Sequence, residues 1–254
     1  MARGLWKRCG ATANLRRLTG RAWRVVEGQH VISTRKLVDS REEQELLEEL
    51  IEERKPPLPD EPAFEGLHYL LATPFRYPPL RHGSRFGSRI ERALWYGSTR
   101  LRTALAETAY YRLLFLEGTS AELGPLVLEL SAFRTPYRTP RGVDLCREPF
   151  DGHRATLASP ERYVETQRLG TQMRKDGVEG FRYPSARDAA GGINVGLFSP
   201  RAFASKLPQT PEGWSAVLTR AAVEFVKRDF FSGSAFRFPR EQFEVDGRLP
   251  APAL

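Results

Sequence analysis

Two stretches of this chain concentrate residue types that can do chemistry. Arg76–Tyr111 reads RYPPLRHGSRFGSRIERALWYGSTRLRTALAETAYY and packs arginines, the Trp95-Tyr96 pair and one helix-borne acid, Glu107, close together. Gly180–Pro200 reads GFRYPSARDAAGGINVGLFSP and sets Ser185 just after a proline and Asn194 before an apolar run. A guanidinium can grip phosphate through two parallel hydrogen bonds, which a lysine cannot do. Each residue also has a plain structural reading. Tyr96 sits in an apolar strand and suits a core. Ser185 after proline suits a turn. Arg85 and Arg89 suit a solvated basic loop. Glu107 on a helix would ordinarily face water, but its helix is apolar on both faces.

The elements that must position these residues are partly legible. Thr103–Glu117 reads as a helix, with Leu105, Ala109, Leu113 and Leu116 on one face and Glu107, Tyr110, Tyr111 and Leu114 on the other. Leu67–Phe75, Ala93–Tyr96 and Leu126–Leu130 read as strands. Phe181–Tyr183 and Ile193–Phe198 read as strands around a glycine-rich loop. Ser159 and Pro160 predict the start of a second helix that ends near Gly177. Trp214–Lys227 fits either two short strands or one helix. Strands broken by helices without regular alternation predict an α+β fold.

Three zones follow. Residues 1–62 form a basic, helical N-terminal extension with a Pro-rich linker, Lys55–Pro62. Its helix is signalled by a capping box, Ser40 with Glu43, and by the stripe Leu46, Leu47, Leu50 and Ile51, and it is expected to pack on the main domain as an accessory. Residues 63–238 form the catalytic domain, and residues 239–254 a peripheral tail. Met1–Arg24 is basic and lacks the apolar core of a secretory signal.

With 254 residues, 41% of them hydrophobic, the chain can bury a sizeable core. The net charge is +8 and the pI about 9.8, which suits an anionic small ligand, an acidic partner or nucleic acid. No apolar run is long enough to span a membrane. Two cysteines and four scattered histidines give no disulfide framework and no metal-ligand spacing, so no metal and no cofactor is expected, in a cytoplasmic protein. Neither a G-x-G-x-x-G, nor a P-loop, nor a G-x-S-x-G elbow is present. If a dinucleotide binds here, it binds by another design.

Read together, the two stretches resemble the RES family, named for a characteristic Arg, Glu and Ser. Arg85 in GSRFG matches the arginine, Tyr96 in ALWYGS the aromatic, Glu107 in ALAET the acid and Ser185 in YPSAR the serine. Asn194 before VGLFSP matches a further polar position. The resemblance covers roughly Phe64–Phe203. Where many members carry an Arg-Trp-Asn run this chain has Ile90–Arg92, so Arg85 and Arg89 both stand as the key arginine.

The resemblance implies an ADP-ribosyltransferase-like fold, a mixed or antiparallel sheet core with flanking helices, here with an N-terminal helical extension. It implies NAD⁺ as substrate and cleavage of the nicotinamide–ribose bond, with ADP-ribose passed to water, phosphate or a macromolecule. In that chemistry Glu107 stabilises an oxocarbenium-like ribose, as a carboxylate does in glycoside hydrolysis. Arg85 or Arg89 holds the diphosphate. Tyr96 offers a face to nicotinamide, and Ser185 and Asn194 offer hydrogen bonds. Several members are toxins restrained by a helix-turn-helix antitoxin of Xre type, so nucleic acid would be met through that partner; a homo-oligomer is also allowed for. The competing reading is a non-enzymatic nucleic-acid-binding protein, which rests on charge alone and has no binding-fold motif behind it.

Overall fold

The computed structural model describes residues 4–28, 40–121, 123–229 and 233–251. In chain order the elements are α1 (Leu5–Arg8), β1 (Arg16–Glu27), α2 (Arg41–Arg54), α3 (Tyr69–Arg76), β2 (Trp95–Ser98), α4 (Leu101–Glu117) and β3 (Leu126–Asp144). They continue with α5 (Arg154–Leu157), α6 (Val164–Lys175), β4 (Gly180–Pro184), β5 (Ile193–Leu197), β6 (Glu212–Leu218), β7 (Ala222–Lys227) and β8 (Ala235–Pro239). Helices and one large mixed sheet make this an α+β fold. Among the described residues, no helix is long and apolar enough to cross a membrane.

The strand order is β1-β2-β5-β4-β3-β6-β7-β8, and β1 also pairs with β3. The sheet therefore curls until β1 closes against the strands on both of its sides. Among the described strands, only β3 and β4 pair in parallel. The 19-residue β3 is the spine. Its first third pairs with β6, its middle and end with β1, and its last three residues with β4. From Phe133 to Thr139 it alternates strictly: Phe133, Thr135, Tyr137 and Thr139 are buried, while Arg134, Pro136 and Arg138 are less so.

Several expectations are corrected here. Leu67–Phe75 is a helix rather than a strand. His68 caps α3 by accepting from the Leu70 N–H at 3.2 Å, and Leu70, Leu71 and Phe75 bury one helical face. The helix expected from Ser159 begins five residues later, because the Ser159 hydroxyl takes the N–H groups of Glu161 and Arg162 in a turn instead. Trp214–Lys227 resolves into the hairpin β6–β7.

The N-terminal zone is not only a helical extension. Arg16–Glu27 is a full strand that buries Leu18 and Ala22 in the core. The α2 helix stands where expected, and Ser40 accepts from the Glu43 N–H; of its predicted apolar stripe, Leu46 and Leu50 are exposed and Leu47 is partly buried. The side chain of Ile51 lies outside the described residues. Nor is the start of the tail peripheral, since Phe243 and Leu249 join the core under α4 and Tyr110 donates its hydroxyl to the Pro250 carbonyl.

Candidate active site

Three neighbouring strands place the polar centre. Ser98 on β2 faces Asn194 on β5, and Asn194 faces Tyr183 on β4. The α4 helix crosses this patch, bringing Glu107 to it. The Ser98 hydroxyl donates to Asn194 Oδ1 at 2.6 Å, which turns the amide so that Asn194 Nδ2 donates to Glu107 Oε1 at 2.6 Å. The Ser185 hydroxyl donates to the same oxygen at 2.7 Å. Ser185 is in turn fixed by accepting from the backbone N–H groups of Arg187 and Asp188, each at 3.1 Å. Among the described residues, Glu107 Oε2 has no hydrogen-bond partner, so one oxygen is anchored and the other is not.

Glu107 lines a cavity of about 460 Å³, a size that suits a small-molecule ligand. Its walls include Arg24, Arg85, Tyr96, Tyr163, Tyr183 and Asn194. Arg85 is buried in a turn, 84–87, closed by the Ser84 N–H donating to Gly87. Its Nη1 donates to the Ser159 carbonyl at 2.7 Å, Nη2 lies 3.3 Å from the Tyr163 hydroxyl, and the guanidinium stacks on the Tyr163 ring. Tyr96 holds that turn from the other side. Its hydroxyl pairs with Ser84 Oγ at 2.9 Å and accepts from the Phe86 N–H at 3.0 Å. Burial pushes the Tyr96 phenol up to about 12.

The six residues singled out in the sequence fall into distinct places. Arg85, Tyr96, Glu107 and Asn194 line the cavity. Ser185 is buried beneath Glu107 and does not line it. Arg89 is exposed and also lies outside the cavity wall, so the geometry favours Arg85 for a role in the cavity.

Sequence reasoning missed four supporting residues. Ser98 orients Asn194; its signal is its spacing of two from Tyr96 within a strand. Tyr163 seats Arg85 and gives no local signal. Asp188 accepts from Thr103 at 2.7 Å, tying the loop after Ser185 to the start of α4; both side chains are buried. Arg24 reaches the cavity from β1, in a zone read as an extension. Among the described residues, no group of three or more His, Cys, Asp and Glu side chains could hold a metal ion.

Compared with known proteins, the chain matches the family model of the RES domain over residues 62–219. No curated protein matches the chain. The matched span holds Arg85, Tyr96, Glu107, Ser185 and Asn194, and leaves out β1, β7 and β8.

Proposed function

Because this chain belongs to the RES-domain family, we propose that it is an NAD⁺-consuming enzyme that breaks the nicotinamide–ribose bond at Glu107. The observation that carries this reading is the anchored carboxylate: Oε1 is taken by Ser185 and Asn194, Oε2 has no hydrogen-bond partner among the described residues, and Glu107 lines an aromatic-lined cavity together with Arg85. The curled mixed sheet is read, on the same ground, as ADP-ribosyltransferase-like.

The chemistry follows from those parts. The bond between the ribose C1′ and the pyridinium nitrogen breaks, and its electron pair leaves with nicotinamide, which becomes neutral. Positive charge builds on the ribose ring. A carboxylate held in place before the reaction stabilises that charge without having to reorganise. Nicotinamide needs no proton to depart, so the absence of a histidine among the cavity-lining residues is no obstacle. Water or phosphate then adds to C1′; water gives up its proton in doing so. The phenol of Tyr96 stays neutral at physiological pH and can act as an apolar face and a hydrogen-bonding group. Toxicity, and restraint by a helix-turn-helix antitoxin, are proposed from the family alone.

The test is incubation of purified protein with NAD⁺, with and without phosphate, following nicotinamide release. Free ADP-ribose marks hydrolysis, ADP-ribose-1″-phosphate marks phosphorolysis, and labelled macromolecule marks transfer. Glu107→Gln keeps the shape but not the charge, and the rate should fall by roughly 10²-fold or more, the order seen when one preorganised transition-state contact is lost. If no nicotinamide is released and no macromolecule is labelled, the reading is wrong.

A further inference from the structure

One face of the β1–β3 ribbon carries a row of arginines. Thr19 stands opposite Arg138, Arg21 opposite Pro136 and Trp23 opposite Arg134. Side chains alternate along a strand, so Arg17, Thr19, Arg21 and Trp23 share a face with Arg134, Pro136 and Arg138. In this register Arg138 is diagonal to both Arg17 and Arg21, and Arg134 is diagonal to Arg21. Diagonal neighbours on paired strands stand about 7–8 Å apart. The four guanidiniums therefore form a zigzag in the order Arg17, Arg138, Arg21, Arg134.

These side chains are not used by the fold. Arg17, Arg21 and Arg138 are exposed, and among the described residues none of the three makes a side-chain hydrogen bond or an ion pair. Arg134 gives its Nε to Gln209 Oε1 at 2.8 Å, and its guanidinium lies over the Trp23 ring. Arg141, further along β3, is tied down instead: its Nε and Nη2 donate to the carbonyls of Gly177 and Asp176, each at 2.6 Å. No acid occurs in residues 16–23 or 133–142. Like charges at this spacing repel one another, and a polyanion laid along them would remove that cost. An acidic protein surface would ordinarily also need a buried apolar or aromatic anchor, and no exposed large apolar side chain belongs to these stretches of β1 and β3. A phosphate backbone needs only the guanidinium forks.

We propose that the zigzag of Arg17, Arg138, Arg21 and Arg134 is a docking face for the phosphate backbone of a nucleic-acid strand. A basic row that tracks the backbone binds without regard to sequence. Arg17 and Arg21 lie outside the family-matched span, so this face is assembled only when β1 joins β3. It also has a direction. Trp23 and Val25, the next residues on the same side of β1, line the cavity that holds Glu107, so a strand on the ribbon runs up to the cavity wall. The proposal does not rest on the NAD⁺ reading of that cavity.

Fluorescence anisotropy with labelled single-stranded DNA and RNA of mixed sequence, over a range of salt concentrations and without NAD⁺, tests it. Wild type should bind both. Each neutralised phosphate of a single strand contributes about −0.7 to the slope of log K against log salt, so four contacts predict a slope near −3. The triple variant Arg17→Gln, Arg21→Gln, Arg138→Gln should lose at least tenfold in affinity, with its slope reduced to about −1. A control triple at exposed cations away from the ribbon, Lys7→Gln, Arg8→Gln and Lys175→Gln, removes the same charge and should keep the wild-type slope. Lysine at the three ribbon positions keeps the charge and should stay within severalfold of wild type. The inference is overturned by a wild type that binds neither strand, by a control triple as weak as the ribbon triple, or by a lysine triple as weak as the glutamine one. Ribbon-dependent binding of polyglutamate without oligonucleotide binding would assign the face to an acidic protein and overturn it too. None of these readings involves nicotinamide release, so the enzymatic reading stands or falls separately.

Discussion

Glu107 depends on a chain of hydrogen bonds that begins in the backbone. The N–H groups of Arg187 and Asp188 fix the Ser185 hydroxyl, and that hydroxyl fixes Oε1. Ser185→Ala would break both ends at once. Two buried backbone donors would lose their acceptor, which costs roughly 1–3 kcal/mol. In a chain of this size that lowers Tm by about 2–4 °C for each kcal/mol lost. The carboxylate would keep only Asn194 as an anchor. Small misplacements of a reacting group cost on the order of 10²-fold in rate, so kcat for nicotinamide release should fall steeply while KM stays within a few-fold. Steady-state kinetics beside a thermal melt check this. A variant with lower Tm and unchanged kcat would make Ser185 a purely structural residue. The sequence suggests Ser185 as a ligand for substrate; its burial and its bond to Glu107 Oε1 suit a positioning role. One sequence cannot reveal that difference, because the partner lies 78 positions away.

The turn that carries Arg85 leans on α6 at a glycine. A Cβ on Gly170 would collide with the backbone carbonyl of Phe86, the residue next to Arg85. Backbone on both sides cannot yield as a flexible side chain would, so Gly170→Ala must move the turn or the helix. The expected result is a raised KM for NAD⁺ together with a loss of stability of about 1–3 kcal/mol, the usual cost of overpacking. Kinetics and denaturant titration would read both, and a variant with wild-type KM would show that the turn does not position the substrate. Element signals in the sequence vary with how much their residues depend on distant partners. The α4 helix is legible because its own apolar spacing requires it, and it stands at Leu101–Glu117 against an expected Thr103–Glu117. The long β3 is legible only at its start. Beyond Leu130, Pro136 and Pro140 read as breaks, yet each sits on the less buried side of the strand. The β1 strand is masked by its arginines. Arg17 and Arg21 stay exposed while Leu18 and Ala22 turn inward, and that alternation gains meaning only when β3 is beside it. An arginine-rich opening therefore looks like an appendage until the partner strand is known, and Arg24 is hidden with it.

At the scale of the whole molecule, proton-bearing groups buried in their neutral form set the alkaline limit. Burial raises the phenols of Tyr96 and Tyr110 to about 12 and that of Tyr183 well above its ordinary value. It also raises the Cys146 thiol to about 12, with Asp144 adding to the shift. Each of these groups keeps its proton in the folded chain at pH values where the unfolded chain has lost it. Folding is then linked to proton uptake, and stability falls as pH rises. For Cys146 the contribution is intact below about 9 and drains away towards 12; for the tyrosines the fall begins near 10. Arg24 works in the opposite sense. Its folded value of about 10 lies below the unfolded 12.5, so the penalty of burying its charge is relieved as pH climbs between those values. One arginine is outnumbered by the tyrosines. The expected melting profile declines gently from pH 9 and more steeply above 10. Tyr110→Phe, which gives up the bond to the Pro250 carbonyl and with it the titrating proton, should be less stable at pH 8 and flatter above pH 10. Cys146→Ala should flatten the segment between 9 and 10. Thermal melts at half-unit steps from pH 8 to 11 make the comparison. A wild-type Tm that holds level through pH 11 would mean that these groups are solvated, and that the aromatic cavity is wetter than its packing implies.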